Sequence, residues 1–445
     1  MSEPWLVRKY HRKRQKLARN KARIVAKLQK KLTAQGQPPF RSRLIRWLLG
    51  LLAPANRYLP MAGYADCSRP VATLAPATGY VTEAPRQIGA PPARQPGQLP
   101  PIEARLFTAA EIYPTSSAIV TGGRIAVPPL YIGRPDLLIT DGEFFLSQDD
   151  GTGIAFCPNP ARVERGVALF GAGVTNWYHW LIEILPAAFL AESLPAEFGD
   201  FPLLVPAACQ QYETFRASLA LFTQGRPVTT LAPAVPAKVG RLVHIDSPVS
   251  GPMNLIAGRW PAPSDYSQNG EVLARFRAAI LDRLSIDEAP PTRRIFLARG
   301  NDRRNYNQAE LLEIAAGHGF EPVYPEKLSF REQVATFAGA EIVAGPSGAA
   351  FANMLFCQNR TRGLTWLLPH YEGFCAYSNL ANVVGMDLRY LFVTPQTPIN
   401  SSYDAYSAAY TLEAERFEVA LKALLSRQPE PAPAQADRQA HFGSR

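Results

Sequence analysis

From residue 176 onward, short apolar runs alternate with longer amphipathic stretches. The pattern predicts a helix near 176–193, a strand at 202–206 (PLLVP), a helix near 209–222 and a strand at 241–246 (RLVHID). After the loop SPVSGPMN and a proline-rich patch around 260–263, the alternation becomes more regular. It predicts helix 270–285, strand RRIFLAR, helix 307–317, strand FEPVY, helix 329–339, strand AEIVAG, helix 348–356 and strand LTWLLP. Repeated β-α-β alternation implies parallel sheets with helices on both faces, here two αβ units with a cleft near 260. Upstream, between about 103 and 170, come the strand-like runs SAIVTG, RIAVPP, DLLIT, EFFLS, GIAFC and VALFGAG. In LSFREQV, Ser329 followed three residues later by Glu332 reads as a helix-capping box.

The ends of the 445-residue chain follow different rules. Residues 1–50 hold 15 Lys/Arg against the single acid Glu3, whereas the remainder is mildly acidic, although the whole chain carries +10. Within the arm, Ile24, Leu28 and Leu32 recur at helical spacing between basic residues, and RSRLIRWLLGLLA follows at 41–53. Such a segment suits an anionic membrane surface, a solvated arm or nucleic acid; Trp47 and its leucines favour the membrane. The organisation expected is a basic amphipathic arm (1–53), a proline-rich linker (54–102), αβ domains at 103–260 and 261–427, and a disordered tail (428–445).

Five scattered cysteines without CxxC spacing argue against a disulfide framework or a zinc site. No run approaches the roughly 18–20 apolar residues of a membrane span, and no signal-peptide pattern opens the chain. The expectation is a cytoplasmic protein, peripheral on the inner face of the cell membrane.

Three stretches carry candidate chemistry. In NWYHWLIEILP (176–186), helical spacing puts Trp177, Trp180, Leu181, Ile184 and Leu185 on one apolar stripe. His179 and Glu183 fall together on the other side, one turn apart, facing either solvent or a cleft. A carboxylate beside an imidazole fixes its tautomer and raises its basicity, as a general base requires. In AEIVAGPSGAAFANMLF, a buried strand runs into a tight Gly345–Gly348 loop and a helix start, an arrangement suited to phosphate at the carboxyl end of a parallel strand. Arg294, Arg299, Arg303 and Arg304, then Asn307, sit on the preceding strand and its exit, with Arg299 at its carboxyl edge. No HExxH, Walker or GxSxG pattern is present, so no protein-bound catalytic metal and no cofactor are expected.

Together these stretches resemble the glycosyltransferase family 61 proteins, often described in bacteria as capsular polysaccharide biosynthesis proteins. NWYHWLIEILP is similar to that family's N-x-x-H-W-L-x-(D/E)-x-L-P motif. The segment RRIFLARGNDRRNYNQAELLEIAAGHGFEPVYPEKLSFREQVATFAGAEIVAGPSGAAFANMLF resembles the remainder of its signature, and the match spans roughly 165–370. The resemblance implies a GT-B-like α/β fold, two Rossmann-like domains facing across a cleft, with acceptor-side chemistry in the first and nucleotide-sugar binding in the second. It implies inverting transfer from a nucleotide-sugar to a hydroxyl of a glycan or glycolipid in surface polysaccharide synthesis. His179 and Glu183 would be catalytic. Asn176, Arg299, Arg304, Asn307, Gly345, Ser347, Gly348, Ala349 and Asn353 would bind substrate. Which of His179 and Glu183 takes the proton stays open. Ser347 stands where the family usually has histidine, and Gln308 where it often has glutamate. Those departures keep a second expectation alive, a degenerate member that binds nucleotide-sugar or glycan as an assembly partner. The partners expected are donor, acceptor and an anionic membrane surface through residues 1–53, without nucleic acid.

Overall fold

A computed structural model describes Ile24 and residues 56–139, 144–148, 151–157, 159–253, 256–287, 289–300, 305–399, 405 and 408–426. The arm apart from Ile24, the tail expected at 428–445 and Arg304 lie outside these described residues.

The N-terminal strands are β1 (Asn56–Gly63), β2 (Arg69–Ala75), β3 (Thr78–Glu83), β4 (Arg94–Leu99), β5 (Ile102–Ile112), β6 (Ile119–Thr121) and β7 (Arg124–Val127). Then come β8 (Phe145–Gln148), β9 (Thr152–Phe156), β10 (Ala161–Ala168), β11 (Leu203–Pro206), β12 (Val228–Leu231) and β13 (Ala237–Ile245). All but β3 and β4 join one eleven-stranded sheet, ordered β12-β11-β10-β13-β5-β6-β7-β1-β9-β8 with β2 also on β5. Its β12-β11-β10-β13 part is parallel, and β13 meets β5 antiparallel, with Leu242 opposite Phe107. The fold is therefore mixed α/β: its first sheet is parallel along β12-β11-β10-β13, and again where β1 meets β7, Met61 opposite Ile125.

A second sheet follows the expected alternation closely. It holds β16 (Arg293–Leu297), β17 (Glu321–Val323), β18 (Ala340–Pro346), β19 (Arg362–Leu367) and β20 (Asp387–Phe392), all parallel, in the order β17-β16-β18-β19-β20. Strands β18 and β19 are buried along nearly their whole length, which is why they read as unbroken apolar runs. The helices around it are α1 (Gly270–Arg283), α2 (Gln308–Gly317), α3 (Phe330–Ala338), α4 (Ala376–Val384) and α5 (Ala414–Ser426). The capping box at α3 forms as read: the Ser329 hydroxyl accepts from Glu332 N–H, and the Glu332 carboxylate accepts from Ser329 N–H. Between the sheets a short hairpin pairs β14 (Val249–Ser250) with β15 (Ser267–Gln268).

The proline-rich linker expected at 54–102 is a correction. In this segment, residues 56–99 carry β1 to β4, with a short helix at Tyr64–Cys67 and a loop over 84–93 that makes one bridge at Gln87. Its prolines occupy places where a missing N–H costs little. Pro70 sits beside a bulge of the one-sided strand β2, and Pro96 lies in the two-stranded β3–β4 hairpin. The hairpin packs on the second unit. Glu83 N–H donates to the Asn379 side chain at 2.9 Å, the Thr82 hydroxyl donates to the Tyr266 carbonyl, and Gln87 bridges Tyr390 beside the second sheet. DLLIT is a second correction: among its described residues, 136–139, Leu137 makes a single bridge to Ile256 and no strand forms. The long strand β5 was missed because Ala109, with φ of 50°, and its exposed neighbour Thr108 interrupt the alternation.

Candidate active site

Both parallel regions reverse strand order at one point, the place where ligands bind in open αβ sheets. In the first, β10 is followed by β11 on one side, while β13 later joins its other side. In the second, β16 gains β17 on one side and β18 on the other. The segments leaving the carboxyl ends of β10, β13, β16 and β18 line a single cavity of about 330 Å³. The β14–β15 hairpin, which spans position 260, forms part of its wall.

From β10 the chain turns through Gly173, with φ of 72°, where an added Cβ would lie 2.6 Å from the His179 ring. Glycine there lets the loop close on the imidazole edge. The helix that follows opens with Asn176, whose side-chain oxygen accepts from Tyr178 N–H and whose carbonyl accepts from Trp180 N–H. Where a regular α-helix was expected, His179–Ile184 is a π-turn, with Leu185 N–H bonded to the Trp180 carbonyl five residues back. Pro186 ends the widened turn; it has no N–H to give, and its ring crowds the carbonyl four residues earlier. The expected stripe is buried, with Trp180, Leu181 and Leu185 fully enclosed.

His179 Nδ1 and Glu183 Oε2 lie 2.8 Å apart. Burial works against the imidazolium, but the Glu183 charge and hydrogen bond more than offset it, so the His179 pKa lies above its ordinary value. Glu183 is held through its carbonyl by the Ser247 hydroxyl at 2.9 Å. Burial, reinforced by the Glu183 charge, pushes the nearby Tyr131 and Tyr178 phenols well above the tyrosine range, leaving them protonated.

The opposite wall centres on Arg299 at the exit of β16. Gln308 grips its main chain from both sides: Arg299 N–H donates to Gln308 Oε1 at 2.7 Å, and Gln308 Nε2 donates to the Arg299 carbonyl at 2.9 Å. A glutamate at 308 could not make the second bond. The Arg299 guanidinium donates to the Ser347 carbonyl at 2.6 Å. It also lies 5.9 Å over the Tyr306 ring. Gly348 leaves room for the same guanidinium, since a Cβ there would stand 3.3 Å from it. The chain then enters the 3-10 helix Ala349–Phe356, in place of the α-helix predicted.

Asn176, His179, Glu183, Arg299, Ser347, Gly348 and Ala349 thus line the one cavity. Gly345, Asn307 and Asn353 do not. Gly345 serves close strand packing, because a Cβ would sit 2.8 Å from that of Leu297. Asn307 ties α2 to the chain near Leu412, accepting from Leu412 N–H and donating to its carbonyl. Asn353 is fully buried, accepting from the Trp177 indole and donating to Gln333, both at 2.9 Å. Glu326 and Tyr178 also face the cavity, and sequence reasoning passed over both. Tyr178 precedes His179 and was masked by its aromatic company; Glu326 falls within the segment that resembles the family's signature, but as a lone acid in a turn it was given no role.

No curated protein matches the chain. Residues 177–364 match the family model described as Glycosyltransferase 61, a span that includes His179 and Glu183 on one wall and Arg299 with Ser347–Ala349 on the other. The resemblance drawn from the motifs holds over that region, which is similar to the glycosyltransferase family 61 proteins.

Proposed function

We propose that the protein is an inverting, metal-independent glycosyltransferase of GT-B type that moves a sugar from a nucleotide-sugar to a hydroxyl of a glycan or glycolipid. The observation that carries the reading is the shared cavity, with the His179–Glu183 pair on one wall and Arg299 with the Ser347–Ala349 turn on the other. Two strand-order reversals facing one cavity are what a GT-B arrangement requires.

His179 Nδ1 is committed to Glu183, which leaves Nε2 to accept the acceptor's proton. The freed oxygen attacks the anomeric carbon as the bond to the diphosphate breaks, inverting that centre. Negative charge moves onto the leaving diphosphate, where Arg299 and the N–H groups opening the 3-10 helix stabilise it. Glu183 holds the imidazole tautomer and balances the imidazolium that forms.

His179→Ala should abolish transfer while nucleoside diphosphate binding persists; undiminished transfer would refute the base assignment. The binding-only alternative draws on Ser347, which cannot carry a proton. It is distinguished by saturating binding without hydrolysis or transfer. Surface polysaccharide assembly at the inner membrane face belongs to the same proposal, with residues 1–53 as the membrane-seeking arm. Retention of the full chain on anionic but not neutral liposomes tests that part.

A further inference from the structure

Two carboxylates line the cavity, Glu183 and Glu326. The first belongs to the proton-accepting pair. The second is out of place beside a diphosphate: like charges 4 Å apart repel by about 1 kcal/mol even in bulk water, and by more near protein. An acid held there needs a different partner.

Glu326 lies on the 3-10 turn Pro325–Lys327 that follows β17. Its Oε1 accepts from Gly300 N–H at 2.9 Å, at the residue next to Arg299. Gly300 has no room for a side chain, since a Cβ would stand 2.6 Å from the same oxygen. The turn is itself fixed from behind. Gln333, buried beneath it, donates to the Pro325 carbonyl at 2.9 Å and to the Leu328 carbonyl at 3.2 Å. One carboxylate oxygen is therefore tied to the main chain beside Arg299. The other makes no bond among the described residues.

A carboxylate accepts hydrogen bonds and donates none. Sugar hydroxyls satisfy it; phosphate oxygens and a uronate carboxylate do not. Resting on the glycosyltransferase reading, we propose that Glu326 binds hydroxyls of the donor sugar and thereby selects neutral sugars over uronic acids. Arg299 holds the diphosphate and Glu326, one residue further along the wall, reads the sugar attached to it. A uronate donor would set a second negative charge against Glu326.

Calorimetric titration of the full-length chain tests this with uridine and guanosine diphosphates. Each is offered free, as the neutral-sugar donor (UDP-glucose, GDP-mannose) and as its uronate counterpart (UDP-glucuronate, GDP-mannuronate). The wild type should favour the neutral donor of the accepted nucleotide by about tenfold or more, the scale of a charge-assisted hydrogen bond. Glu326→Gln keeps an oxygen for Gly300 N–H, so its melting temperature and its affinity for free nucleotide should match the wild type. It should weaken the neutral donor about tenfold and erase the preference. Equal wild-type affinity for neutral and uronate donors, sugar-independent binding, or an unchanged preference in Glu326→Gln would each overturn the inference. Binding of no nucleoside diphosphate at all would instead fail the underlying reading and take this inference with it.

Discussion

The indole N–H of Trp177 donates to the side-chain oxygen of Asn353 at 2.9 Å, joining residues 176 positions apart. Trp177 stands two residues before His179, and Asn353 lies on the 3-10 helix that opens at Ala349. The bonds continue from Asn353 to Gln333, and from Gln333 to the turn that carries Glu326. The Trp177 ring is wedged edge-on against Phe215 and Phe330. The separation between the His179–Glu183 pair and the Arg299 wall is thus set by a buried chain of bonded side chains.

Trp177→Phe keeps the packing and removes only the N–H, leaving the buried Asn353 oxygen without its donor. The cost should be about 1–3 kcal/mol in urea unfolding. With the two walls less firmly registered, kcat should fall about ten- to a hundredfold while nucleotide affinity holds. Unchanged stability and unchanged kcat would show that the chain of bonds positions nothing.

The raised His179 pKa predicts a pH profile. Transfer needs the neutral imidazole, so the rate should rise through an acid limb lying above the ordinary histidine value of 6.5. In Glu183→Gln the carboxylate is gone and burial dominates, so the limb should move to lower pH as the maximal rate falls. The stability sign is the reverse of the rate. The ion pair contributes fully below the unfolded-state pKa and is lost as pH rises through the raised folded value. Rate-against-pH curves for both proteins decide it, and a limb that stays in place would remove Glu183 from the pair.

Arg299→Lys keeps the charge but loses the fork that reaches the Ser347 carbonyl. Donor affinity should weaken about tenfold or more, with little change in melting temperature. Gln308→Glu should give a smaller loss in the same titration, because the Arg299 carbonyl would face a carboxylate where it now meets an N–H. Equal affinities in all three proteins would place the diphosphate elsewhere.

His244 gives a prediction remote from catalysis. Burial, assisted by the Arg105 charge, lowers its pKa to about 4, and its ring packs 4.4 Å from that of Tyr64. The folded chain keeps it neutral while the unfolded chain takes a proton. Stability should therefore decline as pH falls from about 6.5 towards 4, by about 3 kcal/mol in total from this group. Urea unfolding across that range should show a slope that His244→Asn reduces.

The second sheet was legible because its strands are buried on both faces: AEIVAG and LTWLLP have only one period to offer. The His179–Glu183 pair was legible too, since four residues bring two side chains together in a π-turn as in an α-turn. The turn itself was not, because a regular 100° step fits the same apolar residues. Asn353 and Arg299 read alike as polar groups near a glycine loop. Only packing shows that one faces the cavity and the other is enclosed by Trp177 and Gln333. The strands at 56–99 were hidden by their prolines, whose harm depends on which edge is paired, a property of neighbours over a hundred residues away.

That early segment has a consequence during synthesis. Glu83 meets Asn379 only after 296 further residues have been made, about 15–60 s of translation at 5–20 residues per second. Through that interval the β3–β4 hairpin has no second unit to pack on. A chain stopped short of β20 would therefore leave the β3–β4 hairpin without the surface it packs on.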